Sequence, residues 1–122
     1  MPKPLVVGIG LRPETAAATI LAAIGAVLGE HEIAALATLK ARAAEAGPQE
    51  AAERLGIPLR AYTAAELTKV WVPNPSIRAG SIGTASVAEA AALIAGGGEL
   101  IVPKTAYRGV VTIAAADLGK PS

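Results

Sequence analysis

The residues of this chain that could do chemistry are mainly cations, and they follow predicted strands. Six of the 11 basic residues fall in the loops after predicted strands or in the irregular segment that contains Asn74 and Arg78, against two acids, Glu14 and Glu66. Because ligands of open α/β sheets bind at the carboxyl ends of the strands, these cations would form one basic edge. Arginine pairs carboxylates bidentately and lysine adds a point charge, so the pattern favours a ligand with several carboxylates. The six cations are Arg12, Lys40, Arg42, Arg78, Lys104 and Arg108.

Uncharged polar groups accompany the cations at the same predicted edge. Two of them lie at the ends of the first two strands, and three belong to the irregular stretch around Pro73-Asn74-Pro75 and its continuation. That stretch is predicted to be irregular because each proline pushes its predecessor out of helical space. The five groups are Thr15, Thr38, Asn74, Ser76 and Thr84. Gly10, at the end of the first strand, completes the candidate ligand contacts.

Catalytic and metal-binding signatures are weak. The chain has no cysteine and a single histidine, His31, which excludes a thiolate nucleophile and a multi-histidine metal site. His31 lies between two glutamates at a predicted helix end, where we expect a surface position at the opposite edge of the sheet. Neither paired carboxylates nor a Ser-His-Asp order stands out. The sequence therefore predicts binding groups, with no cofactor and no metal of its own.

Gly8-Ile9-Gly10, before a predicted helix, is a partial match to a dinucleotide-binding fingerprint. Pro13 stands where the third glycine of that fingerprint should fall, and an acidic ribose partner is only loosely available further on. The more economical interpretation is that the glycines serve a tight strand-to-helix turn. The start of the following helix could still hold an anion without any such motif.

Composition limits the classes of function. At 122 residues the chain is one domain, residues 1–122, with a core of Leu, Ile, Val and Ala, no Phe and one Trp. The net charge of +1 gives no support for nucleic-acid binding. No apolar stretch is long enough for a membrane span and no signal peptide is recognisable, so a soluble cytoplasmic protein without a membrane partner is expected.

Strands and helices are predicted to alternate. Thr15 is expected to cap the first helix, whose apolar residues between Ile20 and Leu28 are predicted to form one continuous stripe. Pro48 fits the first turn of the next helix and Gly56 its end. Thr63 with Glu66 and Ser86 with Glu89 form capping-box patterns for two later helices. The result is an α/β domain with a mostly parallel central sheet of about five strands, flanked by helices and closed by a C-terminal hairpin with an antiparallel edge strand. Strands are predicted at 5–11, 34–39, 59–62, 100–102 and 110–115, and helices at 16–28, 48–55, 64–70 and 86–96.

Six segments in this order resemble the CobE family of cobalamin biosynthesis and the C-terminal domain of the related fused protein CbiG. They cover nearly the whole chain. They are Gly8-Ile9-Gly10 with Arg12, Ala35-Leu36-Ala37-Thr38 with Lys40, Leu55-Gly56-Ile57-Pro58-Leu59, Val72-Pro73-Asn74-Pro75-Ser76, Gly83-Thr84-Ala85-Ser86-Val87-Ala88-Glu89-Ala90, and Val102-Pro103-Lys104.

The resemblance implies a small α/β domain that works on corrin-ring intermediates of vitamin B12 synthesis. The fused relative opens a lactone on a cobalt-precorrin and releases acetaldehyde, whereas stand-alone versions belong to the aerobic route. The family's first loop usually reads Gly-x-Gly-Cys-Arg-Lys/Arg-Gly-Thr. Here Leu11 replaces the cysteine and Pro13-Glu14 replaces the basic-Gly pair. These departures weaken a shared catalytic mechanism more than a shared fold.

Residues and resemblance together predict a protein of the aerobic pathway that binds a polycarboxylate corrin intermediate of the hydrogenobyrinic-acid or precorrin type. It would act as a carrier, storage or accessory protein, with Trp71, Val72 and Tyr107 against the ring face. One alternative is a lactone-hydrolase-like enzyme on a precorrin-5 type intermediate, using Lys104, Thr84 or Glu66. A third is a partner that docks onto other cobalamin-pathway enzymes. Whether the chain is an enzyme stays open, and cobalt would arrive only inside the ligand.

Overall fold

The computed structural model describes residues 4–29, 31–68 and 84–118. Strands and helices alternate along most of this part of the chain, as predicted. The strands are β1 (Leu5–Leu11), β2 (Ile33–Leu39), β3 (Leu59–Tyr62), β4 (Gly97–Tyr107) and β5 (Val111–Leu118). The helices are α1 (Ala17–Leu28), α2 (Lys40–Ala43), α3 (Ala46–Leu55), α4 (Ala64–Thr68) and α5 (Thr84–Gly96).

The strands form one sheet in the order β3-β2-β1-β5-β4. β1, β2 and β3 are mutually parallel, while β5 is antiparallel to both of its neighbours, β1 and β4. β4 therefore runs in the same direction as β1, β2 and β3, and all four of these strands end at the same edge. The predicted α/β domain with a mostly parallel centre and an antiparallel C-terminal hairpin is confirmed.

Helices α1 and α3 cover one face of the sheet. The predicted apolar stripe of α1 is confirmed, since Ile20, Ile24 and Leu28 are each at most 4% exposed. They pack in one cluster with alternate residues of β1, such as Val7 and Ile9, which are both fully buried. Successive side chains of a strand point to opposite faces, so every second residue of β1 contributes to the core between the sheet and these two helices.

Helix α5 covers the other face and lies unusually close to β1. A Cβ atom on Gly8 would lie 1.9 Å from the carbonyl oxygen of Ala88. Small residues of α5 and β5 fill the rest of this contact, and Ala88, Ala92 and Ala114 are completely buried. The interpretation of Gly8 and Gly10 as turn glycines is therefore wrong, because both lie inside β1 and Gly8 is needed for the approach of the helix.

The C-terminal hairpin differs from its prediction in length. β4 runs through Tyr107, so Lys104 lies inside a strand rather than in the loop that was expected after residue 102. The pairing of β4 with β5 is irregular at three places, including the stretch between Val102 and Thr105. Pro103 falls in that irregularity on an outer strand, where a missing N–H is tolerated. Only residues 108–110 separate the two strands.

The helix starts were predicted with mixed success. The Thr63–Glu66 capping box is confirmed by reciprocal hydrogen bonds, from Thr63 N–H to Glu66 Oε1 at 2.8 Å and from Glu66 N–H to Thr63 Oγ1 at 3.1 Å. The predicted cap at Thr15 is wrong, because Ala16 is the N-cap of α1 and the Thr15 hydroxyl donates to the carbonyl oxygen of Arg12 at 2.7 Å.

Of two further helices, α3 agrees with its prediction and α5 begins earlier than predicted. α3 contains Pro48 in its first turn and ends at Gly56, whose φ of 70° is left-handed, both as predicted. α5 begins at Thr84 rather than at Ser86, so Glu89 is an interior helix residue and not the acid of a capping box. Within the described ranges, no helix is both long and apolar enough to cross a bilayer.

Candidate functional site

Three exposed cations lie at the carboxyl edge of the sheet. This edge consists of the segments that follow β1, β2 and β3, together with the β4–β5 turn. Lys40 follows β2, Arg12 follows β1, and Arg108 lies in the turn after β4. None of the three is in an ion pair within the described ranges. With strands about 4.8 Å apart, the interval from β2 to β4 is roughly 14 Å. The edge thus presents three positive charges across the width of four strands.

Arg42, a predicted member of the same edge, is already neutralised. It lies in the one-turn helix α2, which the sequence did not predict, and it forms an ion pair with Glu45. The other carboxyl oxygen of Glu45 accepts the backbone N–H of Glu14 at 2.8 Å. Arg42 and Glu45 therefore join the start of α3 to the loop after β1, and the basic edge is smaller than the sequence indicated.

A shallow cavity of about 400 Å³ lies beside this junction. The starts of α1 and α3 both open into it, and helix starts attract anions in general. Two of its lining residues are acids, however, so the lining disfavours a carboxylate ligand. The lining residues are Glu14, Thr15, Ala16, Glu45, Ala46 and Gly47. The cavity is therefore not the part of the edge suited to a polycarboxylate.

Three of the predicted contact residues lie beneath the edge instead of on it. Thr38 is completely buried and its hydroxyl donates to the carbonyl oxygen of Ile9 at 2.7 Å, joining β2 to β1. Thr15 is 7% exposed, and Gly10 is buried within β1. Their positions are those of residues that support the loops carrying Arg12 and Lys40.

The β4–β5 turn places Arg108 beside an aromatic ring. Arg108 and Gly109 both have positive φ, at 54° and 69°, and the turn is closed by a hydrogen bond from Val110 N–H to Tyr107 O at 3.1 Å. This is the backbone pattern of the mirror-image turns that suit a hairpin. The guanidinium carbon of Arg108 lies 5.3 Å from the centre of the Tyr107 ring. A charge and a flat ring are thus adjacent at one end of the edge.

Lys104 lies within β4 and is half-buried. Its backbone N–H donates to Oε2 of Glu89 at 3.0 Å, although 15 residues separate the two in sequence. Glu89 is completely buried on α5. Sequence reasoning missed this role because it assigned Glu89 to a helix cap. The available signal was that Glu89 is the only charged residue of α5 and lies among Val and Ala residues.

Several predicted residues cannot be placed at the edge. Trp71, Val72, Asn74, Ser76 and Arg78 lie outside the described residues. Thr84 is the first residue of α5.

His31 lies at the amino end of β2, which is the opposite edge, as predicted. Its Nδ1 is 2.5 Å from the carbonyl oxygen of Leu28, so this hydrogen bond needs the proton on Nδ1. In the part of the chain that the structure describes, no group of His, Cys, Asp or Glu could hold a metal ion.

Comparison with known families gives a match over almost the whole chain. The model of the family described as "Cobalamin synthesis G C-terminus" matches residues 5–116. Among curated proteins, no sequence match was found.

Solved structures of cobalamin-biosynthesis proteins have the same fold. CobE, a protein from the cobalamin (vitamin B12) biosynthetic pathway, is 28% identical over 100% of this chain and 95% of its own, with a TM-score of 0.73. The cobalamin biosynthesis protein chiG from Agrobacterium tumefaciens is 33% identical over 95% of this chain and 99% of its own, with a TM-score of 0.71. A cobalamin biosynthesis protein G homolog from Sulfolobus solfataricus is 25% identical over 98% of this chain but 38% of its own, with a TM-score of 0.76.

Proposed function

Because the chain belongs to the cobalamin synthesis G C-terminus family of cobalamin biosynthesis proteins, we propose that it binds a polycarboxylate corrin-ring intermediate at the carboxyl edge. The ligand is of the hydrogenobyrinic-acid or precorrin type, and the protein acts as a carrier, storage or accessory protein of the aerobic route. This is the chemistry that three separated cations and one flat ring are suited to recognise.

The observation that carries the proposal is the set of exposed cations Lys40, Arg12 and Arg108, which have no acidic partner within the described ranges. A corrin precursor carries acetate and propionate groups around a wide macrocycle. One exposed ion pair contributes at most about 1 kcal/mol. Affinity tighter than millimolar therefore needs several carboxylates paired at once, together with contact to the ring. Cations on separate strands meet that requirement.

Contact with the ring face is assigned to the β4–β5 turn. Tyr107 is half-buried and is stacked by Arg108 from one side, so its ring is held at the edge. Aromatic side chains gain offset stacking with flat conjugated ligands in addition to the area they bury. The turn would thus supply both a carboxylate partner and a surface for the macrocycle.

The alternative activity, opening of a lactone by Lys104, Thr84 or Glu66, has less support from the geometry. Both the carboxyl group and the backbone N–H of Glu66 are engaged in the capping box with Thr63. A general base needs its carboxyl oxygen within reach of the attacking water, and the cap competes for that oxygen. Binding without turnover is therefore placed first.

The test is a visible-absorbance titration of the protein with hydrogenobyrinic acid, followed by mass spectrometry of the recovered ligand. The proposal predicts saturable binding of one corrinoid per chain and an unchanged ligand mass. For lactone-bearing precorrin-5 type material, a mass change with release of a small aldehyde would support the hydrolase alternative. An absence of binding, combined with co-purification of another pathway enzyme, would support a docking role and contradict the proposal.

A further inference from the structure

Glu89 is a completely buried carboxyl group in an apolar layer. Its neighbours along α5 from residue 87 to residue 92 are Val and Ala, and each is at most 4% exposed. Burying an acidic side chain costs several kcal/mol unless hydrogen bonds compensate for the lost water. A buried glutamate therefore needs a hydrogen-bond donor for its carboxyl group, and the identity of that donor indicates the role of the glutamate.

One partner of Glu89 is the backbone of β4. The Lys104 N–H donates to Oε2 at 3.0 Å, in the stretch where β4 and β5 lose their regular pairing. Val102 pairs with Ala115 and Thr105 with Ile113, so three steps along β4 correspond to two along β5. One extra residue is thus accommodated at 103–104, as in a β-bulge. Glu89 thus accepts the backbone N–H of a residue inside this irregular stretch.

The position of this bulge decides which face Lys104 occupies. Successive residues of a strand point to opposite faces, so moving the extra residue by one place would turn the Lys104 side chain to the other side of the sheet. Fixing the backbone at this position therefore fixes the face of β4 from which the Lys104 side chain leaves the strand.

We propose that Glu89 is a positioning residue for corrin binding, which holds the Lys104 backbone in the bulge and so sets the contribution of Lys104 to ligand affinity. This inference rests on the proposed function and extends its site along β4 to Lys104, which lies three residues before the end of that strand at the carboxyl edge. If the contact between Glu89 and β4 were purely structural, its removal would lower the stability of the protein but would leave the ligand affinity of the folded protein unchanged.

The experiment measures the dissociation constant for hydrogenobyrinic acid by absorbance, and separately measures thermal unfolding of each variant. Glu89→Met keeps the length of the side chain and removes the acceptor, and we expect binding to be weaker by up to about fivefold, the loss that one ion pair accounts for. Glu89→Gln keeps an acceptor oxygen and should remain within about twofold of the unsubstituted protein. Leu93→Met on the same helix is the matched control and should bind normally.

A double-mutant cycle separates positioning from general damage. Lys104→Ala removes the lysine side chain but keeps the backbone N–H, so Glu89→Met should cause no further loss of affinity in that background. If Glu89→Met does not fold, Glu89→Asp replaces it with the same expectation, because the shorter side chain cannot span the gap.

Two results would overturn the inference while leaving the proposed function in place. One is normal affinity in folded Glu89→Met, and the other is an equal loss with and without the Lys104 side chain. Failure of the proposed function gives a different result, because the unsubstituted protein would then bind no corrinoid, and the inference would fail with it.

Discussion

Glu14 has a backbone conformation that glycine adopts more easily. Its φ is 63°, in the left-handed region, and its N–H donates to Glu45 Oε1. The CobE-like first loop has glycine at the position of Glu14, and the observed φ supplies a physical reason for that preference. The substitution in this chain therefore introduces backbone strain, which the Glu45 contact helps to offset.

Replacing Glu14 by glycine should stabilise the protein. The left-handed conformation costs a residue with a Cβ about 1–2 kcal/mol, and the larger freedom of glycine in the unfolded chain returns about half of it. We expect a net gain of about 0.5 kcal/mol in the free energy of unfolding, measured by urea denaturation. Glu14→Gln is the control, since it keeps the strain and should shift stability by less than the glycine variant. A destabilised Glu14→Gly would contradict the account.

The packing of α5 on β1 is the most demanding contact between elements. Gly8 has no room for a side chain, because the obstructing atoms belong to the backbone of the helix at Ala88 and Ala92. Backbone cannot rotate away as a side chain can, so the helix as a whole would have to move. Such movement would also displace Glu89 relative to β4.

Gly8→Ala should therefore destabilise the fold by about 3 kcal/mol or more. The matched control is Gly25→Ala in the interior of α1, where no atom lies within 4 Å of the added Cβ. This control should stabilise the protein by about 0.5–1 kcal/mol, because alanine is the better helix former. Denaturation midpoints of the two variants give the comparison. A mild effect at Gly8, similar in size to that at Gly25, would show that α5 adjusts freely.

At the scale of elements, periodicity predicted most of the chain but not its irregular pairings. The stripe of α1, the α3 boundaries and the Thr63 cap depend on local spacing, which the sequence displays. The strand that became β4 was predicted only at residues 100–102, before Pro103. It continues since it is an outer strand with bulges, and neither property can be read locally. Gly8 was assigned to a turn because the residue that packs on it, Ala88 of α5, lies 80 residues away in sequence.

For the whole molecule, the strand order assembles the candidate site. The sequence predicted cations after strands, but only the order β3-β2-β1-β5-β4 places Lys40, Arg12 and Arg108 along one edge. The same order inserts β5 between β1 and β4, which separates Arg108 from Arg12 by two strand spacings, about 10 Å. Two other cations predicted for this edge differ from expectation: Arg42 is paired with Glu45, and Lys104 lies within β4. Arg42 and Glu45 are only three residues apart in sequence, whereas Lys104 lies within β4 because that strand continues past Pro103 in its pairing with β5.

The most direct measurement is the affinity for hydrogenobyrinic acid after charge reversal at opposite edges of the sheet. Arg12→Glu with Arg108→Glu should weaken binding by about tenfold or more at low salt, because two attractions become repulsions. Arg54→Glu is the matched control, since Arg54 is exposed near the end of α3 at the amino edge and should leave binding within about twofold. Equal affinities in all variants, or an equal loss in Arg54→Glu, would contradict a corrin site at the carboxyl edge.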